Sequence, residues 1–239
     1  MKIGEIGMNI KKVVAAALIL SSMTAVSASA AEFNDIKGHW AEDVINELAD
    51  KDIIHGVSDT EFNPDGTVTR AEFLKMAMDS FGIVGHAYRD GECLDATNDD
   101  WYCYYLQGAL DKNIIPKEMI ENCNVTKVTK TLAEATDDKE AVTTDVNVYT
   151  GKFDGDKPIT REEMAAIAVC CKNYVCKDEV GFLFKSPIIK DEAEIDEKYV
   201  NYVILAYVFR YINGMEDGRF APKENLTRAQ AAVVMNNLK

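Results

Sequence analysis

Thr69-Arg70-Ala71-Glu72 returns as Thr160-Arg161-Glu162-Glu163 and again as Thr227-Arg228-Ala229-Gln230. Three copies make an internal repeat, and a repeat constrains a fold more than any single element does. Each copy follows an apolar residue (Val68, Ile159, Leu226) and opens an apolar helical run. The Thr hydroxyl accepts from the backbone N–H three residues on, while the Glu or Gln side chain accepts from the Thr N–H; this is a capping box. Thr and Glu/Gln are thereby explained as helix starts. The arginine is not. At the first helical position the helix dipole disfavours a cation by a few tenths of a kcal/mol. Arg70, Arg161 and Arg228 therefore point to a role outside their own helices. Either they grip an anion together with the free N–H groups of the first turn, or each pairs with a neighbouring carboxylate in an acidic chain.

Residues 1–30 read as an export signal: Lys11 and Lys12 form a basic start, Val13 to Leu20 an apolar stretch, and Ala28-Ser29-Ala30 a small-residue cleavage site. Met8 would start a more compact signal than Met1. The apolar stretch is too short to stay in a bilayer, and no later run approaches the ~20 residues that a transmembrane helix needs. No Cys stands near the cleavage site, so no lipid anchor is expected. Cleavage removes three lysines and one glutamate, which takes the formal charge from −14 to about −16. Such a surface repels nucleic acid, and any anionic ligand must be held by locally placed cations.

All six cysteines lie between Cys93 and Cys176. An even count in an exported chain suggests disulfides, in 15 formal pairings that the sequence does not choose among. Zinc-type spacing is absent, a buried apolar role on a helix fits Cys170 or Cys171, and free thiols are the remaining possibility. No metal or other cofactor is expected.

Repeat one is assigned to residues 33–82. It opens Phe33-Asn34-Asp35-Ile36; His39-Trp40-Ala41 then starts a helix whose Ala41, Val44, Ile45, Leu48 and Ala49 form one apolar stripe. Ile53-Ile54-His55-Gly56 turns the chain into a loop punctuated by Asn63-Pro64-Asp65-Gly66, and the capped second helix follows. Repeat three, residues 188–239, keeps the register. Gly56 and Gly214 both lie fourteen residues before their arginine, Phe62 and Phe220 eight before, and Pro64 and Pro222 six before. Its stripe is Tyr199, Tyr202, Val203, Ala206 and Tyr207, with Lys198 at the position of Trp40. Repeat two, residues 88–176, starts its first helix at Trp101 but carries about thirty extra residues, near 118–147, before Phe153 restores the register. Val142, Val146 and Val148 alternate there, so the insert is either a short hairpin or, as the preferred reading, a solvated loop elaboration in an otherwise all-α chain of three helix-loop-helix units.

Assembled, these motifs resemble the S-layer homology (SLH) family over nearly all of the chain beyond residue 30. The resemblance is carried by Phe33, Asp35, Trp40-Ala41, Ile53-Ile54-His55-Gly56, Phe62-Asn63-Pro64, Asp217-Gly218-Arg219-Phe220-Ala221-Pro222 and the three Thr-Arg stretches. It implies three repeats in a pseudo-threefold arrangement with grooves between neighbours, binding cell-wall polysaccharide, typically a pyruvylated sugar, at the bacterial cell surface. By position, Arg70, Arg161 and Arg228 would hold the ketal carboxylate, and Trp40 and Trp101 would pack on a sugar face, with a plain core or cap-packing aromatic as the equal alternative for Trp40. Gly56 and Gly214 would allow close backbone approach, or serve as left-handed turn residues; Asp35 would accept from sugar hydroxyls or brace the groove. Asp52 and Arg210 replace a family Gly, Lys198 a Trp, and Lys117 a second Gly, so the grooves should be unequal, with the site built around repeat one the best formed.

Two other readings compete. One is a surface-layer structural or protein-interaction subunit that uses the cysteine-bearing insert to hold a protein partner. The other is an envelope glycosidase working through paired carboxylates. No catalytic Ser/His/Asp, Cys/His or metal-ligand spacing stands out, so no catalytic residue is assigned and the chain is read as non-enzymatic.

Overall fold

The structure, a computed structural model, describes residues 32–85, 93–97, 99–133, 142–176 and 189–239. The export signal assigned to residues 1–30 lies outside the described residues. Six α-helices are present among the described residues: α1 Glu42–Asp50, α2 Arg70–Ser80, α3 Cys103–Asp111, α4 Arg161–Cys176, α5 Val200–Val208 and α6 Arg228–Leu238. The capping boxes form as the sequence dictates. Thr69 and Thr227 accept from Glu72 N and Gln230 N, and Thr160 accepts from Glu163 N at 3.4 Å. In return the N3 side chains accept from the three Thr N–H groups. A cap of this kind contributes about 1 kcal/mol per helix.

The stripes bury as their periodicity requires. Ile45, Leu48, Leu106, Ala109, Val203 and Ala206 are inaccessible or nearly so, and Phe62, Phe153 and Phe220 fill equivalent places in the core. The pairing of helices, however, crosses the sequence repeats. α1 packs on α6, α3 on α2 and α5 on α4, while α2, α4 and α6 meet one another at the centre. Each first helix thus rests on the second helix of another repeat, and the three units close into a ring.

A backbone triangle marks the centre of that ring. Val68 N donates to Leu226 O at 3.0 Å, Leu226 N to Ile159 O at 3.1 Å, and Ile159 N to Val68 O at 2.9 Å. Just outside it, Arg70 N donates to Lys157 O, Arg161 N to Glu224 O and Arg228 N to Gly66 O. Each of the three Thr-Arg helix starts is therefore satisfied by the loop of the next repeat, which answers where their orphan N–H groups go.

The described residues are mostly helical, as expected, and the insert adds β structure to an otherwise all-α plan. The insert forms two regular antiparallel strands, β1 Glu121–Ala133 and β2 Val142–Lys152, in register as Val125 with Tyr149 and Lys127 with Asn147. They begin and end a few residues later than the expected insert at 118–147. Thr- and Val-rich alternation suits a pleated surface. Only the base is held by the body, where buried Tyr149 donates its hydroxyl to Leu110 O at 3.3 Å and pairs with Cys93.

All six cysteines are free thiols, so the disulfide alternative is not realised. Burial pushes the Cys93 and Cys170 thiols up to about 12, far from the range in which a thiolate forms readily.

Candidate functional site

The Thr-Arg stretches put three arginines at three equivalent junctions, and each guanidinium reaches across to the next repeat. Arg228 Nε donates to Phe62 O at 2.7 Å and Nη2 to His55 O at 2.8 Å; Arg161 Nε donates to Phe220 O at 2.7 Å and Nη2 to Asn213 O at 2.9 Å. Arg70 Nη1 donates to Phe153 O in the same manner. Each guanidinium also lies over the ring of the Phe whose carbonyl it holds, at 4.7 to 5.9 Å from the centroid. The arginines are thus inter-repeat clasps, buried at 5 to 8% exposure. Burial draws the Arg161 and Arg228 pKa values below the usual arginine value, though a guanidinium keeps its charge at any ordinary pH.

The same loops explain Asp35. Its carboxylate accepts from Phe62 N at 2.9 Å and Asn63 N at 2.6 Å. Burial raises its pKa, but those backbone hydrogen bonds and the Arg228 charge outweigh it, and the group sits below the ordinary aspartate value. Asp95 accepts from Phe153 N and Asp154 N, and Asp191 from Phe220 N and Ala221 N, in the same way. All three brace the loop the arginine clasps. Asp95 and Asp191 went unnoticed in the sequence because Phe33 is replaced by Cys93 and Ile189; an apolar-x-Asp pattern would have found them.

Among the described residues, two open grooves result. One, about 590 Å³ including its mouth, is lined by Ile54, His55, Gly56, Glu72, Trp101 and Arg228, with Lys75 on its wall. The other, about 850 Å³, is lined by Trp40, Arg161, Tyr211, Gly214, Glu216 and Gln230 among others. Each gathers a Trp from one repeat, an Arg from the next and a Gly turn from the third. Trp40 and Trp101 are 65% and 52% exposed, so neither is a core residue. An indole left in water at the mouth of a groove is available for stacking.

The glycines admit the backbone closely. Neither Gly56 nor Gly214 is among the residues with positive φ. A Cβ on Gly56 would instead overlap the Phe33 ring and the carbonyl oxygens of Ser58 and Glu61, and one on Gly214 would lie 3.0 Å from Arg219 O. The left-handed positions of these turns are Asp52, Asn113 and Arg210, at φ 55 to 58°.

The third junction is closed. Glu163 takes Arg70 in a two-pronged ion pair through Nε and Nη2, with both side chains under 10% exposed. Burial pushes the Glu163 carboxyl up, but the Arg70 hydrogen bonds and charge more than offset it and hold the pKa below the usual glutamate value. Lys198, standing where the other repeats have Trp, extends its Nζ to Glu118 O at 3.0 Å and spans the junction. Repeat one therefore does not own a best-formed site. Its Trp serves one groove, its Gly turn the other, and its arginine the closed junction.

Among the described residues no group of three or more His, Cys, Asp or Glu side chains could hold a metal ion, and no helix is long and apolar enough to cross a membrane.

The S-layer homology domain model matches residues 32–74 and 188–232. The chain is 32% identical over 209 residues to an amylopullulanase of Thermoanaerobacterium thermosulfurigenes, covering 86% of this chain and 9% of that protein. It is 31% identical over 227 residues to the exoglucanase XynX of Acetivibrio thermocellus, covering 92% of this chain and 17% of the relative. It is 41% identical over 83 residues to endo-1,4-beta-xylanase A of Thermoanaerobacterium saccharolyticum, 35% of this chain and 7% of the relative. The chain spans less than a fifth of each of these enzymes. Over the two matched segments, 32–74 and 188–232, the chain belongs to the S-layer homology domain family.

Proposed function

We propose that this chain is an exported, non-catalytic module that holds a bacterial cell surface by binding cell-wall polysaccharide in the two open grooves. The observation that carries the reading is their shared construction: an exposed indole, a buried guanidinium and a glycine turn, brought together from three repeats. An indole suits the apolar face of a pyranose, and a guanidinium suits an acidic substituent such as a pyruvyl ketal. The glycine turn lets backbone polar groups approach the sugar. Three repeats and an export signal at 1–30 are part of this proposal. The relatives support it by being polysaccharide-degrading enzymes in name, of which a chain like this one forms a small share. That share also sets the present chain apart from the greater part of each enzyme, which it does not match.

The test is co-sedimentation of the mature protein with purified cell-wall sacculi, before and after chemical removal of pyruvyl ketals. Wild type should sediment with untreated sacculi, and a Trp40→Ala/Trp101→Ala double variant should stay in solution while remaining folded. Equal sedimentation of the two proteins would contradict the reading.

A further inference from the structure

The three junctions differ at one helical position, the third residue of the capped helix, occupied by Gln230, Glu72 and Glu163. In each, one side-chain oxygen is fixed by the capping box: Gln230 Oε1 accepts from Thr227 N at 3.2 Å, Glu72 Oε2 from Thr69 N at 2.8 Å, and Glu163 Oε2 from Thr160 N at 3.2 Å. The second atom is then left over from the cap, and its chemistry decides what the groove offers. In Glu163 it is an oxygen bound to Arg70. In Glu72 it is an oxygen 3.8 Å from Arg228 Nη1. In Gln230 it is an amide nitrogen, a donor.

We infer that the groove of Trp40, Arg161 and Gln230 takes the acidic sugar, and that Gln230 is the residue that opens it to an anion. This rests on the wall-sugar reading of the grooves. Arg161, 95% hidden from solvent by its 5% exposure, commits Nε and Nη2 to carbonyls; its Nη1 makes no hydrogen bond among the described residues. No carboxylate lies within ion-pair distance of it among them. Asp191 and Glu224 act on it only at longer range, and the Asp191 oxygens are taken by Phe220 N and Ala221 N. Glu216, the acid on the groove wall, sits on the exposed turn. A carboxylate entering here finds Arg161, Gln230 and Trp40 together on the groove lining.

The other open groove lacks that donor set. Arg228 faces Glu72, and Lys75 is held by Asp79 at 2.6 Å. An anion there must displace or tolerate a carboxylate, so this groove suits an uncharged sugar ring lying on Trp101.

The chain has two tryptophans, one per groove, so their indole N–H signals report the two sites separately. The experiment titrates a synthetic pyruvyl-ketal glycoside, and its uncharged methyl ester, into isotope-labelled protein. The acid should move the Trp40 signal at about tenfold lower concentration than the Trp101 signal, the order expected for one unit charge a few ångström away at a partly solvated site. The ester should lose that preference. Gln230→Glu, which keeps the capping box, should weaken the Trp40 response to the acid about tenfold, and Glu72→Gln should strengthen the Trp101 response. An unchanged Trp40 response in Gln230→Glu, a Trp101 signal that moves first, or equal responses to acid and ester would overturn the inference while leaving sugar binding intact. If neither indole responds to either compound, the wall-sugar reading itself falls, and the inference with it.

Discussion

The Arg161 groove and the Arg70 junction are built on one plan, yet the first is open and the second is closed. Both have an arginine that clasps the carbonyl of a core phenylalanine, a loop braced by an aspartate and a capped helix. They differ in what stands around the guanidinium. Gln230 leaves Arg161 uncompensated, whereas Glu163 takes Arg70 completely; Trp40 stands free, whereas Lys198 ties itself to the opposite turn. The shared motif is therefore scaffold first, because the arginine is needed at all three junctions to close the ring. Binding capacity is decided by side chains outside the arginine.

The largest effect expected from this comparison comes from breaking the closed junction. Glu163→Ala leaves Arg70 charged and unpaired in the interior, which costs about 3–5 kcal/mol, read as a fall in the urea midpoint. Gln230→Ala, at the same position beside the open groove, should lose only a cap bond, about 1 kcal/mol. Equal losses would mean that the two junctions are energetically alike.

Acid should act at the same place. The folded Glu163 pKa lies below its ordinary value of 4.5, so the contribution of the ion pair is fully present above that value. It is lost as the pH falls through it toward the lowered folded pKa. Stability of wild type should accordingly drop below about pH 4.5 more steeply than that of Glu163→Gln, measured by urea unfolding at stepped pH. Parallel curves would place the acid sensitivity elsewhere.

The two open grooves can be set against each other through their glycines. Gly56→Ala forces a methyl into Phe33 and two carbonyl oxygens and should cost about 1–3 kcal/mol. Gly214→Ala, with its nearest neighbour at 3.0 Å, should cost less in a thermal melt. The reverse order would show that the Gly214 turn is the tighter of the two.

The smallest effect should come from the hairpin. Joining Lys127 to Asn147, a paired position in the register, through an Asn-Gly turn removes only its outer part. Stability should stay within about 0.5 kcal/mol of wild type. A larger loss would give the arm a structural role.

Much of this was legible before the fold was known. Fixed spacing from Gly, Phe and Pro to Arg defined the repeats, and the capping boxes followed from Thr and Glu/Gln alone. Trp40, Trp101, Gly56, Gly214, Arg161 and Arg228 were all singled out from the sequence, and the two grooves are lined by them. What stayed hidden was the partnership among them. Trp40 shares a groove with Arg161 and Trp101 with Arg228 because each first helix rests on another repeat's second helix and each arginine reaches across to the next repeat, and a linear repeat carries no mark of that crossing. The acceptors of the arginines are backbone carbonyls, which no residue type announces. That each arginine pairs with a carboxylate was one of the two readings, but Glu163 as the partner of Arg70 was not legible, since Glu163 occupies a place already explained by its cap. The hairpin was underestimated because Thr, Asp and Lys at regular intervals also suit a solvated loop.

The most direct test puts a reporter at all three junctions. Lys198→Trp adds an indole to the closed one, and the three indole N–H signals are followed while solubilised wall polysaccharide is titrated in. The account predicts that the Trp40 and Trp101 signals shift and that the new signal at position 198 stays still, because Arg70 remains bound to Glu163. A third signal that shifts in step with the other two would contradict the division into two open grooves and one closed junction.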